Sequence, residues 1–165
     1  MKARGYVVRT ARADERAALL MFAVRTGLFD ADGAQALLGN VLDQAQARTL
    51  PEGHHVLTGL SEAGVPPTGW TYFAPDDHAP GVWNVWWIGV DPEAFGGGCG
   101  AALLDAAEQT ARAGGGRLVV IETSATDATA RARAFYAKHR YSPCGEVPDF
   151  YGEGDGKAIF AKKLA

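Results

Sequence analysis

The chain opens on Tyr6-Val7-Val8-Arg9, a β-branched run that predicts a first strand, and Asp14 with Glu15 then opens a helix. Leu20, Ala23, Val24 and Leu28 recur at i, i+3, i+4 and i+8 and predict an apolar stripe along it. Gly27 and Asp32-Gly33 punctuate the chain, and a second helix is expected over 34–48. Pro51-Glu52-Gly53 marks a turn, and His54–Leu60 alternates weakly. Glu62-Ala63-Gly64 and Pro66-Pro67 turn the chain, Gly69–Phe73 returns as a strand, and Pro75–Gly81 reads as a polar loop. The strongest strand is Val82–Val90. Val82, Trp86, Ile88 and Val90 share one face, interrupted by Asn84, and Trp83, Val85 and Trp87 line the other. Apolar residues on both faces predict a central strand covered on each side. A helix follows from about Gly100 to Ala113, with Leu103, Leu104, Ala107 and Ala111 inward, and Gly114-Gly115-Gly116 stops it. Leu118–Ile121 predicts a buried strand. Ala128–His139 predicts a helix with Ala128, Ala132, Phe135, Tyr136 and His139 on one stripe, and Tyr141–Val147 and Ala158–Lys163 predict two closing strands. The order βααβββαβαββ is that of a mixed α/β domain, not a regular alternating array.

Composition narrows the classes. With 165 residues, 47% hydrophobic and 21% charged, the chain is expected to form one soluble domain over 1–165. A net charge of −3 gives no global argument for nucleic acid or an anionic membrane as partner. The longest apolar runs fall far short of the ~18 residues a spanning helix needs. Met1–Tyr6 lacks the apolar stretch of a signal peptide, which predicts a cytoplasmic protein. Two cysteines, Cys99 and Cys144, make neither a disulfide framework nor a zinc set, and both are expected as small buried thiols. No His, Cys or carboxylate spacing suggests a metal.

The unusual feature is 21 glycines, four of them within Gly96–Gly100, between a buried strand and a helix start. Such a turn can aim several backbone N–H groups at one point, where the helix N-terminus adds partial positive charge. The fitting ligand is a diphosphate. Gly96-x-Gly98-x-x-Ala101 formally matches a dinucleotide fingerprint, with Glu122 near the usual ribose distance. Against that, Asp91–Phe95 intervene between strand and glycines, and only 43 residues follow Glu122.

Val90-x-Pro92-x-x-Phe95-Gly96-Gly97-Gly98-Cys99-Gly100, followed by Ala102-Leu103-Leu104, resembles the acyl-coenzyme-A signature of the GNAT superfamily of N-acetyltransferases. Gly98 and Gly100 meet the usual Gln/Arg-x-x-Gly-x-Gly/Ala form. Phe95 stands where Gln or Arg is usual, and Gly97 replaces a common basic residue. Ala132-x-x-Phe135-Tyr136-x-x-x-Arg140-Tyr141 resembles the family's helix-to-strand passage, with Arg140 in place of Gly and Thr129 where Asn is frequent. The tail Pro148-Asp149-Phe150-Tyr151 to Lys162 is similar to that of some bacterial members.

The resemblance implies an acyl-CoA N-acyltransferase fold: a mixed, mostly antiparallel sheet flanked by helices, splayed between the strand ending at Val90 and the strand Leu118–Thr123. It implies acetyl-CoA as acyl donor and a small amine, amino acid or peptide as acceptor, in a monomer or homodimer. Ile88, Gly89 and Val90 would offer backbone groups to the pantetheine and thioester. Phe95, Gly96, Gly97, Gly98, Cys99, Gly100, Ala101 and Thr129 would form the coenzyme site. Tyr136 matches the family's acid, which protonates the leaving thiolate; from the stripe alone it reads as a core aromatic beside Phe135. The strand before the turn carries Asn84 where a carboxylate is frequent, so Glu122 acting through water, or water itself, is left as base. Asp149, Tyr151 and His78 are candidates for the acceptor side. Arg131 and Arg133 are either 3′-phosphate contacts or solvated charges. Trp70, Tyr72, Trp83, Trp86 and Trp87 divide between sheet core and acceptor wall. A non-catalytic acyl-CoA-binding module on the same fold is the alternative.

Overall fold

The computed structural model describes residues 5–62 and 65–165; Met1–Arg4 and the Ala63-Gly64 part of the expected turn lie outside them. The strands are β1 (Val7–Thr10), β2 (His55–Leu60), β3 (Gly69–Pro75), β4 (Val82–Val90), β5 (Leu118–Ser124), β6 (Ser142–Gly152) and β7 (Asp155–Lys163). The helices are α1 (Arg16–Arg25), α2 (Ala31–Ala34), α3 (Asn40–Ala47), α4 (Cys99–Ala113) and α5 (Ala130–Lys138). The strand order is β1-β2-β3-β4-β5-β7-β6. Pairing is antiparallel at β1–β2, β2–β3, β5–β7 and β7–β6, and parallel at β4–β5. This is the mixed, mostly antiparallel sheet the sequence predicts. A dinucleotide fold needs a parallel wound sheet and a strand running straight into its glycines. Here a 3₁₀ turn, Pro92–Ala94, separates β4 from the glycine cluster, so that reading is set aside.

The chain divides into two compact units, Met1–Phe73 with Trp87–Ala107 and Ala74–Trp86 with Glu108–Ala165. In the first, Leu19, Phe22 and Ala23 of α1 pack with Ala34, Leu38, Val41, Leu42, Val56 and Trp70. The Trp70 indole N–H donates to the Leu19 carbonyl at 2.9 Å, so this ring is wholly core. The expected α1 stripe is therefore displaced by one residue. Helix proper starts only at Arg16, after a 3₁₀ turn in which Glu15 is buried and held by Arg9. That start turns Leu19, Phe22 and Ala23 inward and leaves Leu28 beyond the helix and exposed. The second expected helix is three pieces: Asp30 caps α2 by accepting from the Gly33 N–H at 2.7 Å, and a π-turn over Gln35–Gly39 joins it to α3.

In the second unit, the parallel register pairs Val82 with Leu118 and ends with Val85 opposite Ile121. Trp83 is buried over two glycines: a Cβ at Gly114 or Gly116 would stand 2.6 or 2.8 Å from its ring. The triple glycine thus stops α4 and makes room for an indole. Three expectations fail at surfaces. Trp86 is exposed, so the far half of β4 is not covered on both faces. Ala128 is exposed because it lies in a 3₁₀ turn ahead of α5. Cys144 is exposed because β6 is the edge strand and exposed along its whole length, whereas Cys99 is buried as expected.

Candidate active site

In the first unit, β4 is followed by Asp91, which is buried and anchored from three sides. Its N–H donates to the Thr68 carbonyl at 2.7 Å, and its carboxylate accepts from the Glu93 N–H and from Arg25 of α1 at 2.8 Å. Beyond the 3₁₀ turn, Gly96 and Gly98 take φ of +78° and +102°, the left-handed region that favours glycine. The first bond of the α4 ladder is Ala102 N–H to the Gly98 carbonyl at 3.0 Å. The N–H groups of Gly98, Cys99, Gly100 and Ala101 therefore precede the ladder, at the positive end of a 15-residue helix. Beneath them Cys99 is fully buried: Cβ atoms at Gly59 and Gly69 would lie 2.7 and 3.1 Å from its sulfur. Those two strand glycines let the helix start approach β2 and β3. Burial pushes the Cys99 thiol up, opposed by the Thr68 hydroxyl at 3.4 Å, so Cys99 packs as a thiol.

Upstream, Gly89 lies under the Trp87 indole, whose ring atoms begin 2.4 Å from where its Cβ would be. Gly89 also presents its carbonyl 2.8 Å from the ideal Cβ of Gly69, so a side chain at Gly69 would force the backbone apart. Trp87 contacts Phe29 and Trp70 at ring separations of 6.0 and 5.6 Å. Its Nε1 is buried without a hydrogen-bond partner among the described residues. Phe95 is exposed, Ile88 and Val90 half-buried.

In the second unit, Tyr136 is 6% exposed and packs against Phe135, Phe160 and Tyr141, at ring separations of 5.7, 5.7 and 6.3 Å. Burial pushes its phenol up to about 12, so the hydroxyl keeps its proton throughout the neutral range. Glu122 is exposed and paired with Lys157 at 3.1 Å; Lys157 also lies 3.8 Å over the Phe150 ring. Burial, then the charges of Glu122 and Asp155, raises the Tyr151 phenol. The Thr129 hydroxyl is spent locally: it donates to the Ser124 and Thr126 carbonyls and accepts from Arg133 at 2.6 Å. Arg133 is thus a clasp on the end of β5, also bonding both carbonyls. Asn84 donates to Asp76 at 2.9 Å, and that bond leads the causes that lower the Asp76 carboxyl. The same carboxylate accepts from the His78 and Ala79 N–H groups, so Asn84 and His78 belong to the closure of the β3–β4 loop. Asp149, at φ +53°, accepts from the Gly154 N–H at 2.8 Å and ties the β6–β7 turn.

One polar cluster escapes the sequence reading. Glu108 is buried on α4 and accepts from Lys162 at 2.8 Å and from the Tyr141 hydroxyl at 3.1 Å, with Arg112 at 3.4 Å. Its position carried the signal: Glu108 lies four residues after Leu104 and three before Ala111, on the apolar stripe. Asp91 and its Arg25 partner carried none, being 66 residues apart. Among the described residues no His, Cys, Asp and Glu group is placed to hold a metal ion, and no helix is long and apolar enough to cross a membrane.

Comparison with known proteins bears on the whole arrangement. The family model described as Acetyltransferase (GNAT) family matches residues 35–141. A GNAT-family protein from Desulfovibrio desulfuricans is 27% identical, with a TM-score of 0.81 over 98% of this chain and 100% of that one. The yncA protein of Salmonella typhimurium, solved with its cofactor acetyl-CoA, is 20% identical, with a TM-score of 0.73 over 99% and 95%. The ribosomal-protein-S18-alanine N-acetyltransferase of Escherichia coli is 15% identical, with a TM-score of 0.71 over 98% and 95%. No curated protein matches the sequence. With a family model covering well over half the chain, and a glycine turn and sheet of the kind its sequence predicts, the chain belongs to the GNAT family of acetyltransferases, acyltransferases that use acetyl-CoA as acyl donor.

Proposed function

We propose that this chain moves the acetyl group of acetyl-CoA to a primary amine of a small molecule, amino acid or peptide, by direct attack in a ternary complex. The observation that carries the reading is the glycine turn. Gly96 and Gly98 are left-handed, and the N–H groups of Gly98–Ala101 stand unspent by the helix ladder. Backbone donors at a helix start match the diphosphate, whose attraction is local and needs no net positive charge. In this reading Ile88, Gly89 and Val90 lie along the pantetheine and Phe95 to Ala101 lie around the diphosphate, while Thr129 ties down the end of β5 through the Ser124 and Thr126 carbonyls.

Acetyl-CoA supplies an activated acyl group and a thiolate leaving group. Tyr136 supplies the proton. A phenol near 12 is a weaker acid than one in water, but removal from water raises the basicity of a thiolate as well, which restores the match. Glu122, through water, or water alone takes the amine proton. Trp70 and Trp83 are spent in the cores, which leaves Tyr72, Trp86 and Trp87 as the aromatic faces an acceptor could meet.

The test is a panel of polyamines, amino acids, aminoglycosides and peptides, read by thiol release and by mass of the product amide. An acceptor-dependent thiol signal with one amide per thiol is expected; silence across the panel counts against the enzyme. A non-catalytic acyl-CoA-binding module is the second reading, favoured by the Lys157 hold on Glu122. Tight acetyl-CoA binding without turnover would establish it.

A further inference from the structure

Tyr6, one residue ahead of β1, lies on the glycine turn of the first unit. A Cβ built on Gly97 would stand 2.6 Å from the Tyr6 Oη, and one on Gly98 would stand 3.8 Å from its Cε2. The phenol therefore meets the turn hydroxyl first. Gly97 is not in the left-handed region, so its backbone does not demand glycine. What excludes a side chain there is chiefly the Tyr6 hydroxyl, with the Ala94 carbonyl at 3.3 Å second.

Tyr6 is half-buried, and among the described residues its hydroxyl makes no hydrogen bond. A phenol oxygen can accept from a backbone N–H, yet none of the turn's N–H groups bonds it. An unspent O–H therefore lies at Gly97, on the same turn as the unspent N–H groups of Gly98–Ala101. Donors on one turn can be satisfied together by a ligand with several acceptor oxygens, and anionic oxygens are the strongest such acceptors.

We infer that Tyr6 is a coenzyme-binding residue whose hydroxyl donates to a diphosphate oxygen of acetyl-CoA. This rests on the coenzyme reading above and adds to it a side-chain contact from outside the glycine motif. It also explains how the turn works with Phe95 and Gly97 where polar side chains are more usual. The polar contact arrives from the segment before β1, and it arrives uncharged. A side chain at 97 and the Tyr6 hydroxyl compete for the same place.

Calorimetry with two ligands tests this: acetyl-CoA, and S-acetylpantetheine, which lacks the diphosphate. Tyr6→Phe removes the hydroxyl and keeps the ring. It should weaken acetyl-CoA about tenfold, the usual size for one hydrogen bond to a charged acceptor, and leave S-acetylpantetheine unchanged. Gly97→Ala places a methyl where the hydroxyl stands and should cause a similar loss. Added to Tyr6→Phe it should cost little more, because the contact is already gone. Unchanged or tighter acetyl-CoA binding by Tyr6→Phe, or equal losses for both ligands, would overturn the inference. A wild-type protein that binds no acetyl-CoA would instead overturn the coenzyme reading, and this inference with it.

Discussion

In the first unit the polar groups on offer at the glycine turn are backbone N–H groups at the start of α4, whereas in the second they are side chains, Tyr136, Tyr141 and Glu108, all buried. The backbone arrangement depends on what is missing. Gly59, Gly69, Gly96 and Gly98 each lack a Cβ where one would clash or force a strained φ. The side-chain arrangement depends on what is present: every carboxylate oxygen of Glu108 has a donor, and the Tyr136 ring packs at steep angles among three others. Loss of a glycine should therefore harm binding or packing, while loss of the Tyr136 phenol should harm a proton step and leave binding alone.

Tyr136→Phe gives the largest separation. It keeps the ring, so acetyl-CoA affinity and KM should hold, while kcat falls by about 10²–10⁴, the range of a positioned acid. The kcat profile of the wild type should show no alkaline limb from Tyr136 below about pH 12, because burial holds the phenol protonated up to there. A variant with full kcat would return Tyr136 to the core.

Glu108→Gln sharpens the other half of the contrast. It leaves the Lys162 ammonium and the Arg112 guanidinium around an uncharged amide, and should cost about 3 kcal/mol of stability in urea unfolding. Acetyl-CoA affinity of the folded variant should be unchanged; lost affinity at full stability would make Glu108 part of the coenzyme site. Gly59→Ala comes next. Its methyl would stand 2.7 Å from the Cys99 sulfur, so about 1–3 kcal/mol of overpacking is expected, with a shift of the α4 start that weakens acetyl-CoA measurably.

The smallest effect is on pH dependence of stability. Tyr136 and Tyr141 are both raised above their unfolded value of 10, the second by burial and by the Glu108 carboxylate. The native state then holds protons that the unfolded state releases. The extra stability is present below pH 10 and declines as pH rises from there toward the folded values. Urea midpoints at pH 9 and 11 should differ more in the wild type than in Tyr136→Phe. Equal differences would mean that the phenol ionises freely in the fold.

The same contrast explains what was legible in the sequence. A turn that works through its backbone must spend glycines at fixed places, and Gly96–Gly100 announce it in one line of text. The β4 strand was as plain, its bounds at Val82 and Val90 following from its apolar run. A side chain's work depends on what covers it, and covering residues lie far off in the chain. Glu108 and Lys162 are 54 residues apart, and nothing local distinguishes Asn84 as a loop tie to Asp76. Tyr6 was read as the start of a strand, because only the return of the chain after β4 brings Gly97 to it. Face assignment failed where a strand or helix passed out of the core, as at Trp86, Leu28 and Cys144.

Titration of acetyl-CoA into the wild-type protein, Tyr136→Phe and Gly98→Asp tests the central claim most directly. Gly98→Asp sets a carboxylate at φ +102° beside the four N–H groups, so it also strains the backbone, and its fold is checked by circular dichroism alongside. The account predicts one site of equal affinity in the wild type and Tyr136→Phe, and no measurable heat from folded Gly98→Asp. Equal binding by all three would contradict it and place the coenzyme away from the glycine turn.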